Sequence, residues 1–404
     1  MRQLKVALVS EHASPLATLG DIDAGGQNVH VAALAAELGR LGCRVRVYSR
    51  RDGPAAERCV GFAPNVEVEH LDAGPARPIP KDHLFRHMPA FASCLRRRWQ
   101  AQPPDIVHAH FWMSGWAAVA SGVQRPVVQT FHALGAVKQR HQRSEDTSPP
   151  QRQWVEAELV QCTDRVIATC SDEVRELVAL GADPERVSVV PCGVSMSRFH
   201  PDGPALPRYG APHRIVVVSR LAPRKGIDDV IAALVHLPET ELVIAGGPSL
   251  DRLAADPEAS RLRAVAEDCG VASRVLFLGG VPHDQVPEVI RSADVVVSVP
   301  WYEPFGIVPI EAMACGVPVV GSAVGGLLDT VLYGRTGYLV PPRHPRALAD
   351  AVAQLLGNPS LRTHMGQEGV ARVRQHFTWT QVAASTLDVY EHVLATAQPW
   401  AESA

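Results

Sequence analysis

The chain alternates short runs of apolar, often β-branched residues with longer stretches whose apolar positions recur at helical spacing. Eleven apolar runs predict strands, at Val6–Val9, Val45–Tyr48, Ile106–His108, Val127–Thr130, Val166–Ala168, Val187–Val190, Ile215–Val218, Leu242–Ala245, Val275–Leu278, Val295–Val299 and Val317–Val320. A helical stripe predicts a helix over Asn28–Leu41. Gln139–Gln153 lacks periodicity and predicts a mobile loop. Strands that alternate with helices are typical of parallel α/β sheets.

A segment rich in proline and glycine, Phe199–Pro207, separates the strands of the two halves. It predicts a linker, assigned to residues 199–212, between a first domain of residues 1–198 and a second of residues 213–378. Each would be a doubly wound, Rossmann-like domain, and the two would face a central cleft that receives ligands. The last helix, within residues 379–404, could cross back to the first domain.

The composition is that of a globular protein too long for one hydrophobic core. Its 404 residues are 46% hydrophobic and 20% charged, and single cores stop growing at about 250–300 residues. A net charge of −3 offers no general attraction to nucleic acid. No apolar run approaches a membrane span, and the eight scattered cysteines are typical of reduced thiols in a cytoplasmic protein. Monomer and homodimer both stay open.

The segment Trp301–Ala314 carries two glutamates, Glu303 in an expected loop and Glu311 in the helix that follows. The turn and the first helical residues leave backbone N–H groups unpaired, and an anion can bind there. Since an anion would repel a carboxylate, both glutamates are predicted to bind neutral hydroxyl groups attached to it, such as those of a sugar nucleotide. The alternative is that they are ordinary acidic residues at a helix start.

Two basic residues, Arg220 and Lys225, follow the first predicted strand of the second half. They stand five residues apart across a turn and could converge on one diphosphate, Arg as a planar fork and Lys as a compact charge. The alternative is a pair of solvated cations in a loop. Gly246 and Gly247 end the next strand, where they could admit a base or a phosphate or form a tight turn.

The first half holds a glycine pair and several histidines after its predicted strands. Gly25–Gly26 precedes the first helix, where paired glycines let a ligand approach the backbone, and Asn28 suits the N-cap. His110 and His132 end apolar strands and could face a ligand or be structural. The spacing of His108 and His110 suits a metal, but no third ligand stands nearby in the sequence, so no metal is expected.

No nucleophilic serine in a glycine-flanked elbow, no Walker-type lysine loop and no paired metal ligands occur in the sequence. What the residues above supply is stabilisation of a leaving diphosphate together with recognition of hydroxyl groups. They predict the transfer of a group from an activated diphosphate.

Together these motifs resemble those of the retaining glycosyltransferases with the GT-B fold, the family 4 type of glycosyl transferases group 1. That family includes sucrose-phosphate synthase and the mycothiol-pathway enzyme that joins N-acetylglucosamine to D-inositol 3-phosphate. The resemblance implies two Rossmann-like domains and a metal-independent reaction. It also implies a nucleotide sugar as co-substrate, with UDP- or GDP-sugars favoured, and no other cofactor.

The resemblance implies a role for each candidate residue. The donor-binding residues would be Gly25, Gly26, Arg220, Lys225, Gly247, Phe305, Gly306, Ile307 and Glu311. The catalytic residues would be His132, Glu303, Arg220 and Lys225. Arg220 and Lys225 would neutralise the diphosphate, and Glu311 would hold the ribose hydroxyls. The acceptor hydroxyl would attack from the front face and pass its proton to the departing phosphate oxygen, which retains the anomeric configuration.

On the acceptor side the resemblance implies Asn28, Lys81, His110 and Arg152. Lys81 and Arg152 match two basic residues that hold the acceptor phosphate in the inositol-phosphate enzyme. Phe111 and Ala133, however, stand where Tyr and Thr hydroxyls would bind the same phosphate. Because Lys81 and Arg152 are present, an anionic acceptor is expected. Inositol phosphate itself would lose two hydrogen-bond donors.

Two other interpretations stay open. A GT-B sugar-nucleotide epimerase or phosphorylase would share the fold, although no pyridoxal-binding lysine motif is recognisable for a phosphorylase of the glycogen type. A non-catalytic protein that binds nucleotide sugars would keep the same motifs. In each case the expected partners are small molecules: a nucleotide sugar and, for a transferase, a small polar acceptor.

Overall fold

The computed structural model describes residues 3–16, 26–143, 146–208 and 210–396. The chain divides into two compact units, Met1–Cys192 with Trp379–Ala404, and Gly193–Thr378. The boundary between them lies before the predicted position at residue 198, and the proline-rich segment belongs to the second unit. The reason is packing, since Phe199 is 1% exposed and the Leu206 N–H donates to the Glu288 carbonyl at 3.0 Å.

The described residues of the first unit form an eight-stranded sheet. Its strands are β1 (Lys5–Val9), β2 (Arg44–Arg50), β3 (Cys59–Ala63), β4 (Val66–Leu71), β5 (Ile106–His110), β6 (Val127–Thr130), β7 (Arg165–Ala168) and β8 (Val187–Val189). Their order is β3-β4-β2-β1-β5-β6-β7-β8, and among these described strands only the edge strand β3 is antiparallel to its neighbour. The strand order reverses between β1 and β5.

The described residues of the second unit form a six-stranded parallel sheet. Its strands are β9 (His213–Val218), β10 (Thr240–Ala245), β11 (Val275–Gly279), β12 (Val295–Ser298), β13 (Val319–Ser322) and β14 (Gly337–Val340). The order β11-β10-β9-β12-β13-β14 is that of a doubly wound Rossmann sheet, and it reverses between β9 and β12. Ligands of such sheets bind at this reversal, beyond the carboxyl ends of the strands.

Helices connect the strands in both units. Those of the first unit are α1 (Gly26–Arg40), α2 (Met88–Ala101), α3 (Trp112–Ala120), α4 (Gly135–Gln142), α5 (Gln151–Cys162), α6 (Ser171–Ala179) and the C-terminal α14 (Trp379–Thr396). Those of the second are α7 (Ile227–Ala233), α8 (Pro257–Asp268), α9 (Val286–Arg291), α10 (Ile307–Ala314), α11 (Leu327–Thr330), α12 (Pro345–Leu356) and α13 (Pro359–His376). No helix among the described residues has the length and apolar character that crossing a bilayer requires.

The first sheet is covered on both faces, and the alternation of side chains along β1 shows this directly. Ala7 and Val9 join the apolar cluster that contains residues of α2, α3 and α5. Val6 and Leu8 point the other way and join the cluster that contains residues of α1 and α14. A parallel sheet buried on both faces has near-continuous apolar strands, which explains why these strands stand out in the sequence.

Several sequence expectations differ from the structure in detail. Asn28 is not an N-cap, because it is the third residue of α1, and its Nδ2 donates to the Ser14 carbonyl at 3.1 Å. The strand expected at Val317–Val320 starts at Val319, since Pro318 has no N–H for the ladder. The expected loop Gln139–Gln153 is helical at both ends, in α4 and α5.

Candidate functional site

Lys225 and Glu303 meet at the reversal point of the second sheet. Lys225 lies in the turn after β9, and Glu303 lies in the loop between β12 and α10. Because β9 and β12 are paired neighbours, their carboxyl ends bring the two side chains together, and the Lys225 Nζ donates to the Glu303 Oε2. Arg224 Nη1 is 3.8 Å from the same oxygen, and its guanidinium lies 5.0 Å above the centre of the Tyr302 ring.

Basic side chains outnumber carboxylates in this cluster. Burial would raise the pKa of Glu303, but the charges of Lys225, Arg224 and Arg220 outweigh it and hold the pKa below its ordinary value. Burial and the two neighbouring arginines lower the pKa of Lys225, although Glu303 opposes them. Arg220 itself is exposed. The cluster therefore carries excess positive charge, which suits a bound phosphate group.

Glycines at the end of β10 and at the start of α10 occupy positions where a side chain would not fit. Gly246 follows β10 with φ +136°, and a Cβ there would lie 1.8 Å from the Ser219 carbonyl oxygen. Gly247 comes next, also with positive φ. Gly306 is the N-cap of α10 at φ +85°, and no described side chain caps that helix. Phe305 is buried before it and Ile307 begins the helix, so the first turn of α10 presents backbone N–H groups for a ligand.

Glu311 lies inside α10, as predicted, and its carboxylate is held by a residue that the sequence motifs do not include. Its Oε1 is 3.1 Å from Nε2 of His283, and Nδ1 of His283 faces Nη1 of Arg198. His283 follows the Gly279-Gly280 turn at the carboxyl end of β11. Its position in the loop after a strand is the sequence signal that could have indicated His283.

In the first unit, a second group of polar side chains lies at the reversal between β1 and β5. Glu11 follows β1, and its N–H donates to the Ser114 Oγ at 3.1 Å, while that hydroxyl donates back to the Glu11 Oε2. His12 Nδ1 is 2.7 Å from the Glu11 Oε1. Glu11 and His12 were not among the predicted site residues, although both closely follow the first strand.

Four histidine rings form a cluster in the first unit: His30, His108, His110 and His132. His110 Nδ1 lies 3.0 Å from His132 Nε2, and the centres of the His30 and His132 rings are 5.0 Å apart. Burial lowers the pKa of His30 to about 4 and, helped by the charge of His30, that of His108 to about 3. Burial and the neighbouring rings also lower the pKa values of His110 and His132, so the cluster is neutral at pH 7.

The basic residues predicted for the acceptor lie near one loop of the first unit. Arg152 is buried on α5; its Nε is 2.7 Å from the Glu156 Oε1, and its guanidinium lies 5.1 Å from the centre of the Phe111 ring. Lys81 begins a 3₁₀ turn whose Asp82 accepts a hydrogen bond from Thr147. The structure thus connects the turn that carries Lys81 to the segment before Arg152.

The structure gathers the predicted residues into two groups, one in each unit. Arg220, Lys225, Gly247 and Glu303 lie at the carboxyl edge of the second sheet, where α10 with Glu311 also begins. Asn28, His110, His132 and Arg152 lie in the first unit, and Gly25 is outside the described residues. Across the described parts of the chain, no group of three or more His, Cys, Asp or Glu side chains is arranged to hold a metal ion.

Two Rossmann-like units define the GT-B class of glycosyltransferases, and the comparisons with known proteins agree. Residues 24–198 match the model of Glycosyltransferase Family 4, and residues 204–372 match that of Glycosyl transferases group 1. The structure is similar to that of sucrose-phosphate synthase from Thermosynechococcus elongatus, with a TM-score of 0.88, 32% identity, and coverage of 98% of this chain and 100% of that one.

Curated relatives are similar over nearly the whole chain. The D-inositol 3-phosphate glycosyltransferase of Acidothermus cellulolyticus is 39% identical over 97% of this chain and 91% of its own length. The protein of the same name from Mycobacterium tuberculosis is 37% identical over 96% of this chain and 83% of its own. The chain belongs to the glycosyltransferases of group 1 and family 4, and the sequence-based prediction of this family and of the GT-B fold is confirmed.

Proposed function

We propose that this glycosyltransferase moves a hexosyl group from a nucleotide diphosphate sugar to a hydroxyl group of a small phosphorylated acceptor, with retention of configuration and without a metal ion. The observation that carries the proposal is the cluster of Arg220, Arg224 and Lys225 around Glu303 at the strand reversal of the second sheet. A diphosphate bound there would replace part of the Lys225–Glu303 contact and accept charge-assisted hydrogen bonds.

In this mechanism the acceptor O–H forms the new bond to the anomeric carbon while the bond from that carbon to the diphosphate oxygen breaks. The departing oxygen takes the acceptor proton on the same face. Lys225, Arg220 and the N–H groups at the start of α10 would stabilise the charge that develops on it. They would supply the charge stabilisation that a metal ion provides in other phosphate chemistry. Glu303 would contact hydroxyl groups of the transferred sugar, and the catalytic role of His132 stays a prediction.

For the acceptor, we propose a sugar or cyclitol phosphate. The relatives named above carry D-inositol 3-phosphate and sucrose phosphate in their names. Lys81 and Arg152, together with Lys138 near Ser148, give the first unit basic side chains around one loop. Phe111 offers a ring in place of a hydroxyl, which favours an acceptor phosphate held by the basic residues alone.

The test is a donor and acceptor screen with the purified protein. UDP-, GDP- and ADP-sugars are each combined with D-inositol 3-phosphate or a hexose phosphate, and products are identified by mass spectrometry and NMR. We expect one pair to release nucleoside diphosphate only when the acceptor is present, with the product in the donor's anomeric configuration. Chelation by EDTA should leave the rate within about twofold, because no metal supplies the charge.

Neutralising the two basic residues should remove the activity. The double variant Arg220→Met, Lys225→Met is expected to lose at least about 100-fold in kcat/KM, since each charge-assisted hydrogen bond contributes about 1.5–3 kcal/mol. Arg346→Met, which removes an exposed cation from α12, is the control and should keep full activity. Donor turnover without any acceptor would instead favour an epimerase or a hydrolase. The predicted cytoplasmic location stays a prediction.

A further inference from the structure

His283 lies between a cation and the carboxylate of Glu311, and nothing in the sequence motifs points to it. Its Nε2 is 3.1 Å from the Glu311 Oε1, and its Nδ1 faces Nη1 of Arg198. The Phe199 ring, 1% exposed, packs at 5.4 Å from the centre of the imidazole. All four residues belong to the second unit, although 85 positions separate Arg198 from His283.

The contact with Arg198 fixes which ring nitrogen of His283 carries the proton. A guanidinium has only donors, so Nδ1 of His283 must accept. The proton of the neutral ring is then on Nε2, which donates to the Glu311 carboxylate. A doubly protonated ring could not accept from Arg198, so this arrangement belongs to the neutral histidine.

The hydrogen bond from His283 restricts what Glu311 can do. The Glu311 side chain is 7% exposed, and Oε1 is occupied by His283. Among the described residues no side chain donates to Oε2. The carboxylate is thereby held in one orientation with one oxygen left to accept from a ligand, and a preorganised acceptor loses less entropy on binding than a mobile one.

We propose that His283 is a positioning residue for the donor nucleotide. By donating to Oε1, it aims Oε2 of Glu311 at a ribose hydroxyl, and Arg198 sets the tautomer that makes this possible. The inference rests on the proposed function, because it takes Glu311 as the ribose ligand. It predicts that the contribution of His283 to affinity depends on the presence of ribose hydroxyl groups.

This dependence is tested by calorimetric titration of the full chain with UDP, GDP and ADP. The nucleotide that binds is then compared with its 2′,3′-dideoxy form. His283→Phe keeps a ring against Phe199 but loses the donor, so its affinity for the ribonucleotide should fall about tenfold, whereas its affinity for the dideoxynucleotide should change less than about twofold. In turnover assays the donor KM should rise and kcat should change little. His283→Gln, whose Nε2 can still donate while Oε1 accepts from Arg198, should restore binding.

The matched control is His376→Phe, because His376 is an exposed histidine that also packs against a phenylalanine, Phe377. It should leave both affinities unchanged.

Equal losses for the ribonucleotide and the dideoxynucleotide in His283→Phe, or no loss at all, would overturn the inference while the proposed function stands. If His283→Phe does not fold, Arg198→Met, which releases the tautomer, should show the same ribose-dependent loss, and its absence overturns the inference. Failure of the unaltered protein to bind any of the three nucleotides would count against the proposed function itself.

Discussion

The guanidinium of Arg152 is engaged on every side within the first unit. Its Nε pairs with Glu156 at 2.7 Å, its Nη1 donates to Ser148 at 3.3 Å, and its Nη2 donates to the Ala133 carbonyl. Glu156 also accepts from the Gly135 N–H at 2.8 Å. An acceptor phosphate that binds Arg152 would therefore join an existing network, and the residue has a role in stability besides any role in binding.

Removing Arg152 alone should destabilise the first unit strongly. Burial already raises the pKa of Glu156 although Arg152 lowers it, so Arg152→Met would leave a buried carboxylate without its counter-ion. We expect the free energy of unfolding to fall by about 3–5 kcal/mol in urea titrations at pH 7. Arg140→Met removes the exposed pair with Glu176 and should cost no more than about 1 kcal/mol. Equal effects of the two variants would contradict this view of Arg152.

At the scale of elements, the sequence predicts the strands that form a continuous apolar run and misses three strands that do not. β4 carries Glu67 and Glu69 between its apolar residues, β3 is an edge strand, and β14 has four residues that begin with glycine. None of these has the continuous apolar run of a central parallel strand. The predicted sheets were therefore incomplete at their edges.

The candidate site follows the same logic. Lys225 and Glu303 could be proposed because each directly follows a strand, and strand ends meet at one edge of a parallel sheet. The contacts of Arg198, His283 and Glu11 could not be predicted in this way. Arg198 reaches His283 only through the packing of the segment after Gly193, and Glu11 meets Ser114 across 103 positions. Such contacts depend on tertiary structure, which periodicity does not encode.

The histidine cluster connects three elements, because His30 lies on α1, His108 and His110 on β5, and His132 follows β6. Helix α14 closes it: the Tyr390 hydroxyl is 2.7 Å from His108 Nδ1, and the Trp379 ring is 5.3 Å from the His30 ring. Nδ1 of His30 and Nε2 of His110 are buried, and neither has a hydrogen-bond partner among the described residues. No described carboxylate pairs with these rings, so a proton added to one of them would be a buried charge that no described residue neutralises.

Acid should therefore destabilise the first unit through these histidines. The folded-state pKa of His30, about 4, lies below its ordinary value of 6.5, so between these values the unfolded chain binds a proton that the folded chain does not. Stability due to His30 is complete above pH 6.5 and falls with decreasing pH, by up to about 1.4 kcal/mol per pH unit. His30→Phe should reduce this pH dependence in urea titrations between pH 6.5 and pH 4.5. His376→Phe, at an exposed histidine, should keep the pH dependence of the unaltered protein. Equal pH dependence of stability in the unaltered protein and both variants would contradict this role of His30.

At the scale of the whole chain, the two units are built differently from the sequence. The second unit is one continuous segment, Gly193–Thr378, whereas the first combines Met1–Cys192 with the C-terminal helix. Val382, Ala383, Tyr390 and Val393 of α14 are buried in the apolar cluster that also contains Val31 and Leu34 of α1. The first unit thus cannot complete its core until the last helix has been synthesised.

This asymmetry predicts how fragments of the chain behave. A fragment of residues 193–378 contains a complete sheet, both covering sets of helices and the cluster of Lys225, Glu303 and Glu311. We expect it to unfold cooperatively in circular dichroism and to bind a nucleoside diphosphate without catalysing transfer, since the candidate residues of the first unit are missing.

A fragment of residues 1–192 would expose the α1 side of its core and should lack a cooperative transition, because burial of each large apolar side chain contributes about 1.5–3 kcal/mol. Adding a peptide of residues 379–396 should restore that transition. If the fragment of residues 1–192 melts cooperatively by itself, α14 is not needed to complete the fold. The histidine cluster would then have to be stable without Tyr390 and Trp379.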